Sequence, residues 1–359
     1  MKSHMSRFTL AALAGLACAP AAMAQTMAPT MGATHPNLAA AHAAASYNFK
    51  LIATIPLPTK PGHGDWVAYD PSNHDVYVSL NGSGMAVVDT RTDKVIHGFA
   101  NIPEPNTMTF DDNYIYETAA EGPGAGKVNQ IVVIDKKTWK VVDRINTVGT
   151  TPDGTFIDKA NDHLYVVSDD SNAIDVYTTG PHPTFITKFP LKPAHPKQGP
   201  DVAVLFHGTI YATDDAWVEK LNPTTGAISA AVNYHLKLTD EGGTKDMFWD
   251  KMHHAIWVAT TTGGVMVINP NSLRVEKRLP ETAGADEVAA DPALGLVYVF
   301  EGGTPGFDVY SIKEMKRIDT VRTGIATPTH SGAVDPETHE IFVYAGGNAA
   351  LDVYKPVRQ

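Results

Sequence analysis

Cysteine is almost missing from this chain: of 359 residues only Cys18 carries a thiol, and it stands inside an N-terminal apolar run. If that run is removed, disulfides, cysteine-ligated metals and thiol nucleophiles are all excluded. Cations are also scarce, with 28 Lys and Arg against 39 Asp and Glu and a net charge of -11. Nucleic-acid binding draws much of its affinity from Lys and Arg on phosphates, so a polyanionic partner is not expected, and no basic run supplies a local exception. The apolar run FTLAALAGLACA is too short to span a bilayer. Neither H-E-x-x-H nor G-x-S-x-G occurs, which removes support for helix-borne zinc proteolysis and for serine nucleophiles and leaves no catalytic residue to name. The segment GPGAGK, Gly122 to Lys127, falls short of a phosphate loop. Glu121 stands where its first glycine should be, and Val128 replaces the hydroxyl residue that would hold magnesium. It reads as a hairpin turn.

Residues 1–24 combine Lys2 and Arg7, the apolar run, and Ala22-Met23-Ala24 before Gln25, the pattern of a secretory signal. A lipid anchor on Cys18 is the alternative, weakened by Gly15 at the usual leucine position. The expectation is export to the periplasm or medium with Gln25 as the new N-terminus. Residues 25–45 are Ala, Met, Thr and Pro with almost no strand pattern and read as a disordered lead-in. Residues 46–359 remain as one domain.

That domain repeats. His74 to Ile96, HDVYVSLNGSGMAVVDTRTDKVI, reads as three short strands joined by a Gly-rich turn and a polar turn. Its central aromatic recurs as Tyr77, Tyr116, Tyr165, Tyr211, Trp257, Tyr298 and Phe342, 39 to 49 residues apart. Upstream of each lies a fourth apolar run: WVAYDP, TMTFDD, TFIDK, VAVLF, MFWDK, VAADP and GAVDP. Four strands repeated seven times predict an all-β, seven-bladed propeller. The chain's last repeat lacks its fourth strand, while Tyr47 to Leu57 is a fourth strand without a repeat. The two deficits are complementary, so the N-terminal strand is expected to close the C-terminal blade and remove an open edge. A closed ring further suggests a monomer.

Segments such as DHLYVVSDDSNAIDVY and GLVYVFEGG, with the His74 to Ile96 unit, make the repeats resemble the YVTN-type seven-bladed propellers of exported bacterial proteins. The resemblance covers nearly all of the chain after the leader and implies the fold. It implies no single function, because such propellers serve binding, scaffolding and catalysis. Tyr177, Tyr310 and Tyr354 depart from the repeat, standing where it has Asp.

In a propeller, the turn entering each innermost strand and the turn between the second and third strands open on one face. The entry residues, in blade order, are Asp65, Asn106, Asp153, Asp201, Lys245, Asp286 and His330. The partner turns add Glu121, Asp169 and Asp170, Asp214 and Asp215, and Glu301, while His63 and Glu287 flank the ring. One lysine opposes these carboxylates. The pattern predicts a binding or scaffold protein whose acidic, His-containing channel mouth captures a small cationic, metal-bearing or polyhydroxy ligand or a partner protein. The same Asp residues are also ordinary turn formers. Two histidines and three carboxylates, His63, Asp65, Asp286, Glu287 and His330, enter consecutive blades, a mixed set suited to a divalent metal, zinc more than calcium. This makes the meeting of blades six, seven and one the expected centre of the site. A metal-assisted hydrolase or lactonase at the same rim is the alternative.

Overall fold

The alternating runs fold as their period requires. The computed structural model describes residues 47–82, 84–192, 199–239, 242–280, 284–324 and 327–359, so the leader and lead-in lie outside it. Seven four-stranded antiparallel sheets form a seven-bladed β-propeller, and among the described residues the only helix is one 3-10 turn, Gly346–Asn348. No described helix is long and apolar enough to cross a membrane. The innermost strands are Val67–Asp70, Pro105–Phe110, Pro152–Asp158, Pro200–Phe206, Thr244–Asp250, Ala285–Asp291 and Gly332–Asp335. Each touches the next, and the last returns to the first, so the ring is closed around a channel.

Closure is made as the two deficits demanded. Tyr47–Pro56 runs antiparallel to Ala350–Arg358, with Ile55 opposite Leu351 and Pro56 opposite Ala350. Thr54 Oγ1 donates to Asp352 Oδ1 at 2.7 Å across this seam.

The seven aromatics are the core of the blades. Six are completely buried and Tyr211 is 4% exposed. In six blades the aromatic faces a valine of the third strand: Val87, Val133, Val176, Val267, Val309 and Val353. Such aromatic and β-branched pairs are the favoured cross-strand contact. Blade four differs, because Tyr211 faces Lys220, whose ammonium lies over the ring and donates to the Pro270 carbonyl.

Most innermost strands end in an aspartate that folds the following turn. Asp70, Asp111, Asp158, Asp250 and Asp335 each accept with Oδ1 from the backbone N–H two residues on. This is the Asx turn that makes Asp a turn former. In three blades the second oxygen reaches the buried aromatic, accepting from Tyr77, Tyr116 and Trp257. Blade four again departs, turning through His207-Gly208 instead. Two of the tyrosines that replace Asp in the repeat bridge to other blades: Tyr177 accepts from Val148 N–H and Tyr310 donates to Pro280 O. In the turn of blade one, Gly84 has φ of 94°, and a Cβ there would stand 1.6 Å from Phe99 O, so only glycine fits.

Candidate functional site

The entries to the seven innermost strands converge. One cavity of about 220 Å³ is lined by all seven entry residues, Asp65, Asn106, Asp153, Asp201, Lys245, Asp286 and His330. His63 and Glu287 join them, as do four residues that the repeat pattern did not single out for the rim: Trp66, Thr107, Val202 and Asp246. Asp246 follows Lys245 just as Glu287 follows Asp286, so the position after each entry residue was the signal that could have found it. Trp66 both packs in the core beside Tyr77 and Met108 and faces the cavity.

Lys245 organises the ring. Its side chain is 13% exposed, donates to Asp201 at 3.0 Å and lies 3.7 Å from Asp286. Burial pulls the ammonium's pKa down, but Asp201 and Asp286 outweigh it and hold the group above the ordinary lysine value. Asp286 is likewise disfavoured by burial yet held below the usual carboxylate range by Lys245 and His330. This pair is therefore charged.

The remaining carboxyls are not so matched. Burial pushes Asp153 well above its ordinary value, with Asp201 adding repulsion, and among the described residues nothing donates to its carboxyl. Burial also raises Asp246 to about 7 and Glu287 well above its norm, although Asp246 accepts from Met247 and Val288 N–H and Glu287 accepts from Ser331. Each of these three carboxyls is thus less acidic than an ordinary one, and a bound cation would favour its ionised form.

The His-rich side is assembled but internally engaged. His63 and His330 have ring centroids 4.1 Å apart. His63 Nδ1 lies 2.8 Å from Asp65 and His330 Nδ1 lies 2.7 Å from Asp286, while Asn81 donates to Asp65 at 2.9 Å. Among the described residues no three His, Asp or Glu side chains stand together in a geometry that could hold a metal ion. The five residues expected to do so are neighbours that pair with one another and with Lys245, Asn81 and Ser331.

None of the six expected partner-turn residues, Glu121, Asp169, Asp170, Asp214, Asp215 and Glu301, lines this cavity. Glu121 Oε2 accepts from Val128 N–H inside its own hairpin. Glu301 is buried against Arg322 at 2.8 Å and against Thr304. Both turns fold back on their own blade, so their carboxylates serve the turn. Asp215 lines a separate pocket in blade four.

No protein-family model matches this chain, and no curated protein is significantly similar to it.

Proposed function

We propose that this chain is an exported, monomeric binding propeller of the YVTN type whose channel mouth captures a small organic cation. The observation that supports the reading most is Asp153, a carboxyl lining a cavity with five others and without a donor among the described residues, while the one lysine in the lining is held by Asp201 and Asp286. A cation entering beside it would favour the ionised form that burial disfavours. A polyhydroxy ligand would meet the same mouth but, carrying no charge, would favour that form less.

The test is calorimetric titration with 1,4-diaminobutane, with 1,4-butanediol as the neutral counterpart, in buffers of different ionisation enthalpy. The diamine should bind with net proton release and more tightly at pH 8 than at pH 6. Equal binding of the diol, or diamine binding without proton release, contradicts the reading.

The enzyme alternative keeps one supporting observation: His63 and His330 each hold a carboxylate at Nδ1, the orientation that carboxylates give to metal-bound imidazoles. A metal-assisted hydrolase or lactonase would place zinc at those rings. Turnover of lactones that is lost with chelator and restored by zinc would favour it over cation capture.

A further inference from the structure

The outermost strand of every blade carries one extra residue against the third strand, a β-bulge at the same place in all seven. In ring order from blade six the extra residue is Ile318, Ile52, Ile96, Val142, Ile186, Ser229 and Glu276. Five consecutive blades thus present a β-branched aliphatic side chain that is between 37% and 49% exposed. Blades four and five present Ser229 and Glu276, which shows that the bulge itself does not demand an apolar residue. Strand propensity does not demand one either, since threonine is β-branched and suits an exposed strand. Single exposed apolar residues are ordinary, whereas one at the same place in five neighbouring blades is a pattern.

The same strands concentrate the chain's cations. The seven outermost strands hold ten Lys and Arg against three Asp and Glu, while the rest of the chain holds 18 against 36. The outer wall is therefore basic on a chain whose net charge is -11.

The pattern is densest across blades two and three. Val141, Val142 and Val148 of blade two and Phe185 and Ile186 of blade three are all exposed. Three contacts join the two blades here. His182 Nδ1 lies 2.8 Å from Asp143, Val148 N–H donates to the Tyr177 hydroxyl at 2.9 Å, and the Tyr177 ring meets Phe185 edge-on with centroids 5.7 Å apart. The one acid of this stretch of strand is thereby paired, while the exposed Lys140 and Arg144 flank the valines.

We infer that the outer wall of blades two and three docks on an anionic phospholipid surface, with Val142, Phe185 and Ile186 entering the headgroup layer and Lys140 and Arg144 meeting lipid phosphates. The bulges disfavour the other use of a basic, apolar sheet edge, addition of an acidic partner's strand, because each breaks the ladder that such a strand would extend. Contact is left to side chains. The same chemistry repeated over neighbouring blades suits a fluid surface with no shape of its own. Such a surface repels the acidic remainder of the chain, so the molecule should lie on its wall and leave the channel mouth open to water. None of these residues lines the channel.

The test is co-sedimentation of the chain from Gln25, which contains the whole closed ring, with vesicles of equimolar phosphatidylglycerol and phosphatidylcholine and with vesicles of phosphatidylcholine alone. Binding should be at least about ten-fold tighter to the anionic vesicles. Phe185→Ser combined with Ile186→Ser should weaken it at least about ten-fold, and Lys140→Gln about five-fold. Lys277→Gln, which removes an exposed lysine from the outermost strand of blade five, should leave it unchanged. All four side chains are partly or fully in solvent, so the variants should fold, and thermal unfolding checks each. Absence of binding to the anionic vesicles overturns the inference and leaves the wall to an acidic protein. Equal binding to both kinds of vesicle overturns it too, as does a loss in Lys277→Gln as large as that in Lys140→Gln.

Discussion

Two sides of one propeller face use the same residue types in opposite ways. Where blades six, seven and one meet, each acid has a partner: Asp65 with His63 and Asn81, Asp286 with His330 and Lys245, Glu287 with Ser331. Around blades three and four, none of Asp153, Asp214 and Asp215 has a carboxyl donor among the described residues. A count of carboxylates and histidines favours the first side. The hydrogen-bond inventory favours the second, because a group already satisfied gains little from a ligand, whereas an orphaned one gains the whole of its missing interaction.

The largest expected effect comes from opening the ring next to the partnered side. Removing residues 47–56 takes away the fourth strand of blade seven and exposes the edge of Ala350–Arg358. The truncated chain should lose more than about 5 kcal/mol of stability, lowering Tm by more than about 10 °C. Thermal unfolding of the two chains measures it, and an unchanged Tm would mean that the seam contributes nothing to closure.

Next in size is Lys245→Met, which strips the cation from Asp201 and Asp286 while keeping the aliphatic stem. Breaking a buried ion pair by removing one partner costs about 3–5 kcal/mol. Urea unfolding should show that loss at pH 7 and much less of it at pH 4, where the carboxylates can take up protons.

The two sides also answer pH with opposite sign. Asp286 is held below its unfolded value, so the stability it contributes is present above about pH 4. That contribution disappears as pH falls through the folded pKa. Asp214 is raised to about 8, so its contribution is intact below about pH 4 and is lost progressively as pH rises to about 8. Asp214→Asn should therefore stabilise the protein by about 2 kcal/mol at pH 8 and by less at pH 5. Denaturant titrations at both pH values test this, and a stabilisation independent of pH would show that Asp214 is not proton-bound in the fold.

Much of the face was legible in advance because a propeller is periodic. A repeat aligned on Tyr77, Tyr116 and their successors places Asp65, Asn106, Asp153 and the other entry residues in equivalent positions, and equivalent positions around a closed ring must converge. Partnering was not legible, because it depends on how each turn folds. Glu121 and Asp153 are both acids near the same face, yet Glu121 bends back to Val128 N–H while Asp153 lines the cavity. Asp214 and Asp215 look like any turn pair in sequence. Only the tie from Asp215 O to Thr244 and the packing of Trp217 and Leu236 reveal that their carboxyls are enclosed.

Both sides can be weighed in a single titration series with 1,4-diaminobutane at pH 8, comparing Asp153→Asn with His330→Ala. Removing His330 leaves Asp286 in its 3.7 Å ion pair with Lys245 and leaves Asp153 untouched, so its affinity should stay within about three-fold of the unmutated protein, whereas Asp153→Asn should lose at least about ten-fold, or 1.4 kcal/mol. Loss on His330→Ala with full binding by Asp153→Asn would contradict this and return the site to the partnered side, where blades six, seven and one meet.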